Sequence, residues 1–136
     1  MTKTIFEKII EREIPADIIY EDEKHIAFLN IAPFEKGHTL VITKHPYKTI
    51  FEIPEDEYLQ LQKVVHRIAK HIKDVLNCDM NMVQNNGEVS GQEVPHIHFH
   101  LIPRLQQKNI YTSGMDDLYV SDEEKKEFGD RLRMDA

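Results

Sequence analysis

Residues 95–104 read Pro95-His96-Ile97-His98-Phe99-His100-Leu101-Ile102-Pro103-Arg104, and the alternation of histidine with an apolar residue decides the fold. Successive side chains of a β-strand point to opposite faces. This spacing therefore predicts a strand with His96, His98 and His100 on one face and Ile97, Phe99 and Leu101 on the other, in a core. Imidazole is the one unperturbed side chain that titrates near neutral pH, so a row of three can supply a nucleophile, a proton relay or metal ligands. The chain has eight His in 136 residues, and three of them in one five-residue stretch is poorly explained by chance.

Outward from this strand, the preceding loop runs from Asn85 through Gly91, and before it Met80-Asn-Met-Val-Gln84 predicts another strand. Upstream again, Leu61, Val65, Ile68, Ile72 and Val75 recur at intervals of three and four, which predicts one long helix from Pro54 to about Asn77. Glu55, Asp56 and Glu57 complement the dipole at its start. His66 and His71 lie off the stripe, toward solvent or at its edge. Ile18–Glu21, His25–Asn30 and His38–Thr43 read as three further strands, the first two joined by the polar turn Asp22-Glu-Lys24. Ile5, Phe6, Ile9 and Ile10 make a short amphipathic helix that Pro15 stops. After Arg104 periodicity is lost until Ser121-Asp-Glu-Glu124, a capping-box pattern before a charged helix over 125–133 with few apolar residues, essentially Phe128, Leu132 and Met134. That tail helix is expected to be peripheral, docked on a neighbour or frayed. The fold expected is α+β: an antiparallel sheet of about five strands with the long helix across one face and a short N-terminal helix. Residues 1–104 form the core and 105–136 an extension of the same domain.

Composition narrows the classes. The chain is 30% charged and 40% hydrophobic, the balance of a single soluble globular domain. A net charge of −7 argues against binding a nucleic-acid polymer, which needs clustered Lys and Arg. No apolar run is long enough to span a bilayer and the N-terminus lacks a signal-peptide core, so a cytoplasmic protein without membrane contact is expected. The single cysteine, Cys78, excludes an intramolecular disulfide and reads as a semi-buried thiol, not a nucleophile.

The string Gly91-Gln92-Glu93-Val94-Pro95-His96-x-His98-x-His100 followed by two apolar residues resembles the signature of the histidine triad family of nucleotide hydrolases and transferases. The resemblance extends over about residues 4–104, through Thr4-Ile-Phe-x-Lys-Ile-Ile, Glu13-Ile-Pro, Ile18-Ile-Tyr-Glu-Asp, Ala27-Phe-Leu-Asn-Ile, Gly37-His-Thr-Leu-Val and Val83-Gln-Asn-Asn-Gly. It implies a homodimer with a purine-nucleotide site (AMP or GMP) on the histidine face. It also implies a two-step reaction at the α-phosphorus of nucleoside phosphoramidates or dinucleoside polyphosphates. His98 would attack and become nucleotidylated; His96 and His100 would contact the phosphate and shuttle protons; His38 would support the triad from the neighbouring strand, with a satisfied strand histidine as the plain alternative. Gln92, Asn85 and the Gly91 loop match phosphate contacts, Asn30 matches the residue on the ribose hydroxyls, and Ile5, Phe6, Ile9, Phe28 and Ile31 match the base pocket, although by residue type each of these could be plain core. Splitting the displacement through a covalent intermediate is the general gain of nucleophilic catalysis.

Two positions depart from the family pattern. Glu93 stands where Ser or Thr is common; a carboxylate cannot donate a hydrogen bond and repels a phosphate, so Glu93 is expected to turn away from the site. Thr4 and Glu7 stand where zinc-binding relatives carry cysteines, and His45 and His96 alone do not make a four-ligand site, so neither a structural zinc nor any required cofactor is expected. Two rival readings stay open: a metal site built from His96, His98 and His100, since positions i, i+2 and i+4 of a strand share a face, and a nucleotide sensor without useful turnover.

Overall fold

The computed structural model describes residues 2–105, 119 and 121–136. In chain order the elements are α1 (Ile5–Ile10), β1 (Ile18–Glu21), β2 (His25–Leu29), β3 (Thr39–Thr43), α2 (Glu55–Leu76), β4 (Asp79–Val83), a single 3₁₀ turn (Glu88–Ser90), β5 (His98–Arg104) and α3 (Asp122–Leu132). The strands form one five-stranded sheet in the order β1-β2-β3-β5-β4, antiparallel throughout. The histidine strand is thus near the centre, and β4 is an edge.

The register sorts side chains between two layers. Ile42 pairs with His98, Leu40 with His100, and Phe28 with Leu40, which gathers apolar side chains and imidazoles on one face. There Phe6 and Ile9 of α1 pack with Ile26, Phe28, Leu40 and Ile42. The opposite face carries Ala27, Leu29, Val41, Phe99 and Leu101 against α2, whose Leu61, Val65, Ile68 and Ile72 are buried as the stripe requires, with Val64 added. Asn77 ends α2 in the left-handed conformation, φ 49°, one residue beyond the last helical position.

The start of α1 is fixed by a capping box in which Glu7 N–H donates to the Thr4 hydroxyl (3.1 Å) and Thr4 N–H to the Glu7 carboxylate (3.2 Å). This reciprocal pair makes a six-residue helix viable, because so short a helix gains little from propagation. At the other end of the chain, α3 is docked and not frayed: Leu132 is fully buried in the main core, Met134 N–H donates to Ile19 O, and α3 packs on α2 and β1. Only half of the expected capping box forms there, Glu124 N–H to Ser121 Oγ at 3.1 Å, because the Glu124 carboxylate reaches Lys36 instead, at 2.9 Å. Gly37, before β3, adopts φ +82° at a place where a Cβ would lie 3.0 Å from Leu76 Cδ1; both the conformation and the close packing require glycine.

Candidate active site

The layer between α1 and the sheet leaves a cavity of about 400 Å³. Its walls are Ile5, Phe6 and Ile9 from α1, Phe28, Asn30 and Ile31 from β2 and its end, Asn85, Gly91 and Glu93 from the loop before β5, and His98 and His100. All of these but Glu93, whose carboxylate was expected to turn away, were expected from the sequence. Ala32, Phe34, Leu40 and Val94 also line it. Leu40 was legible only as one of two alternating faces of β3, and the pairing with His100 chooses the face. Phe34 lies in an aperiodic loop and gave no signal.

Hydrogen bonds fix the tautomers. His98 Nδ1 lies 2.7 Å from its neighbour's carbonyl, His96 O, which can only accept, so Nδ1 carries the proton and Nε2 keeps its lone pair. His98 is a cavity-lining residue, with the Phe6 ring edge-on at 5.0 Å. Phe34 N–H donates to His38 Nδ1 at 3.0 Å, so His38 must hold its proton on Nε2 and donate it to His100 Nδ1, 3.0 Å away. His100 is left with its proton on Nε2. One strand therefore presents a bare nitrogen from His98 and an N–H from His100, their rings 4.9 Å apart.

Burial holds all four imidazoles below their ordinary range. His38 is lowered to about 3 by desolvation and then by His100 and His98; His100 falls to about 4 by desolvation and then His98. His96 and His98 are lowered mainly by desolvation. The site is therefore neutral imidazole at pH 7, the form in which His98 is a nucleophile.

Three expected site residues do not reach the cavity wall: His38, which is fully buried behind His100, His96 and Gln92. His96 precedes the ladder, is fully buried, and donates its Nε2–H to Thr43 O at 2.6 Å; its ring packs on Phe6 and its backbone carbonyl orients His98. Gln92 is turned inward. Its Nε2 donates to Lys48 O (2.7 Å) and Val94 O (3.0 Å), and its Oε1 accepts Gly87 N–H (2.7 Å), so the amide straps the loop down in place of lining the site. Glu93 behaves in the opposite way to its expectation. Held between Gln92 and Val94, it stands on the cavity wall, and its charge acts on His98 to raise that pKa against the larger effect of burial. Asn30 Oδ1 accepts Ala32 N–H at 3.0 Å. Its Nδ2 lies 3.5 Å from His38 Nε2, but both are donors in the tautomers above, so the Asn30 N–H groups stay available to a ligand.

A three-histidine metal site does not fit this geometry. With Nε2 of His96 committed to Thr43 and Nδ1 of His98 to His96 O, the three strand histidines do not converge on one point, and among the described residues no three of His, Cys, Asp and Glu do so. Thr4 and Glu7 are bound to each other in the α1 cap. The three-histidine metal site is thereby set aside.

The sequence and the fold are shared with known proteins. The family model for the HIT domain matches residues 11–107. The chain belongs to the histidine triad (HIT) family. A HIT-like protein of Methanocaldococcus jannaschii is 49% identical over 102 residues, covering 75% of this chain and 79% of that one. The adenosine 5′-monophosphoramidase HNT1 of Saccharomyces cerevisiae is 40% identical over 105 residues, 77% of this chain and 65% of the yeast protein. Among solved structures, a HIT-like protein of Bartonella henselae superposes with TM-score 0.85 at 33% identity, covering 96% and 94% of the two chains. A zinc-bound histidine triad protein of Mycobacterium smegmatis gives 0.78 at 34% identity, covering 95% and 89%. The α+β architecture expected from the sequence is the HIT fold.

Proposed function

We propose that the chain hydrolyses purine nucleoside 5′-phosphoramidates through a nucleotide held covalently on His98. The observation that carries this reading is the pair of fixed tautomers, a lone pair on His98 Nε2 beside an N–H on His100 Nε2, on the wall of a cavity that is mostly apolar. In the first step a bond forms from His98 Nε2 to the α-phosphorus, while the phosphorus–nitrogen bond breaks with its electron pair to nitrogen. The departing nitrogen takes a proton through His100, whose protonated form the bound phosphate favours. In the second step the oxygen of water displaces His98 and a water proton returns to His100. The products are a nucleoside monophosphate and an amine. Phe6, Phe28 and Ile31 flank the space for the base, and Asn30 the space for the ribose hydroxyls. The names of the yeast relatives agree with this choice of substrate.

No metal is needed for either step, because the nucleophile is an imidazole and not a metal-bound hydroxide. We read the chain as a cytoplasmic homodimer: Cys78 is its single cysteine, no helix among the described residues is long and apolar enough to cross a membrane, and among those residues β4 is the sheet's edge strand, with Met82 half exposed, which a second copy would extend. The test is an adenosine phosphoramidate assay after exhaustive EDTA treatment, with mass spectrometry of the quenched enzyme. Turnover with an adenylyl adduct on His98 is expected. Activity that is lost and returns with zinc would overturn the metal-free step; AMP binding without turnover would leave a nucleotide sensor.

A further inference from the structure

Among the described residues that line the nucleotide cavity, Glu93 is the only acidic one, and no lysine or arginine stands there beside it. Its position is fixed by its neighbours. Gly91 takes φ +101°, and the Gln92 amide pins the loop to Lys48 O and Val94 O, so the carboxylate is carried on a strapped turn. Gly91 and Glu93 also border a second, wider hollow lined by Lys48, Thr49, Glu52, Glu88, Gln92 and Pro95. The two hollows meet at Gly91 and Glu93. In the second hollow carboxylates outnumber its one ammonium.

We infer that Glu93 selects the leaving group, favouring nucleoside phosphoramidates whose departing amine carries a positive charge at its other end, such as a diamine, over neutral amines and over polyphosphate. The inference rests on the hydrolase reading above. As the phosphorus–nitrogen bond breaks, the nitrogen takes one proton and leaves as a neutral amine, so what a nearby carboxylate attracts is the fixed charge at the other end of a diamine. A polyphosphate leaving group gains negative charge at the same moment and meets Glu93 with no cation on the wall beside it. The fixed charge of the diamine extends the attraction into the adjoining hollow, with Glu52 and Glu88 on its sides.

The experiment compares kcat/KM for three adenylyl substrates: the phosphoramidate of a monoprotonated diamine, that of the isosteric neutral alkylamine, and a dinucleoside polyphosphate. Each enzyme is judged by its own ratios, so a general loss of activity does not enter. The diamine substrate is expected to exceed the neutral one by roughly fivefold in the wild type, the scale of one partly exposed ion pair. Glu93→Gln should erase that ratio and Glu93→Lys invert it. High salt should shrink it in the wild type without any substitution. Ratios that are the same in wild type and Glu93→Gln would overturn the inference while leaving the hydrolase intact. Failure to turn over any of the three substrates, with no adduct on His98, would instead overturn the hydrolase reading.

Discussion

His38 Nε2 lies 3.0 Å from His100 Nδ1, and because the Phe34 amide occupies His38 Nδ1, the proton between the two rings belongs to His38. A histidine on β3 thus sets the tautomer of one on β5. Replacing His38 with phenylalanine keeps an aromatic ring in the space but removes the donor. The expected result is a loss of roughly 10- to 100-fold in kcat, the scale of an orienting partner. In ¹⁵N NMR, the His100 ring should change from one tautomer to a mixture.

His98→Asn should abolish the nucleotidyl adduct while leaving AMP binding largely intact, since the ring acts in the covalent step. His100→Ala should slow the reaction by about 10²–10⁴-fold, the range for a proton-transfer group, with the adduct still detectable by mass spectrometry on a slow substrate.

The rate should hold as pH falls below the ordinary imidazole range. Burial lowers the His98 pKa, so the acid limb of kcat/KM is expected below the ordinary imidazole value of 6.5. Stability moves the other way. Above about 6.5 His38 and His100 are neutral in both folded and unfolded chains; as pH falls through that value they take up protons in the unfolded chain that the folded one refuses until about 3 at His38 and about 4 at His100. Native stability should therefore decline between pH 6.5 and 4. The His38 share comes to about 2 kcal/mol at pH 5. Urea unfolding at pH 7 and 5 measures this loss, and His38→Phe should lessen it.

Asn30→Ala should weaken AMP binding by about 1 kcal/mol, near fivefold in Kd, through loss of a donor to the ribose. A 2′-deoxynucleotide should already be weakened on the wild type and lose little more on the variant. Isothermal titration of both nucleotides on both proteins closes that cycle.

Tyr119 ties the C-terminal segment to the site. Its hydroxyl accepts Gly37 N–H at 2.7 Å, and burial pushes its pKa up to about 12. The loop it holds carries Phe34, whose amide orients His38. Tyr119→Phe leaves the Gly37 N–H without its acceptor and should cost about 1–3 kcal/mol in urea unfolding.

The sequence by itself determined the histidine strand, the stripe of α2, the α+β architecture and most of the cavity wall. These are recorded in local periodicity: His98 and His100 alternate with Phe99 and Leu101, and Leu61, Val65, Ile68 and Ile72 repeat at helical spacing. Only the tertiary structure decided how the polar atoms are spent. Gln92 turns its amide inward because Lys48 O, 44 residues away, needs a donor; His96 gives its Nε2–H to Thr43 O, 53 residues away; and Phe34 enters the site through its backbone N–H, which carries no residue identity. Glu93 borders the cavity between Gln92 and Val94, which a hydrogen bond ties together. Periodicity fixes which face a side chain takes, but a hydrogen bond depends on distance and angle between atoms that the chain brings together only when it has folded.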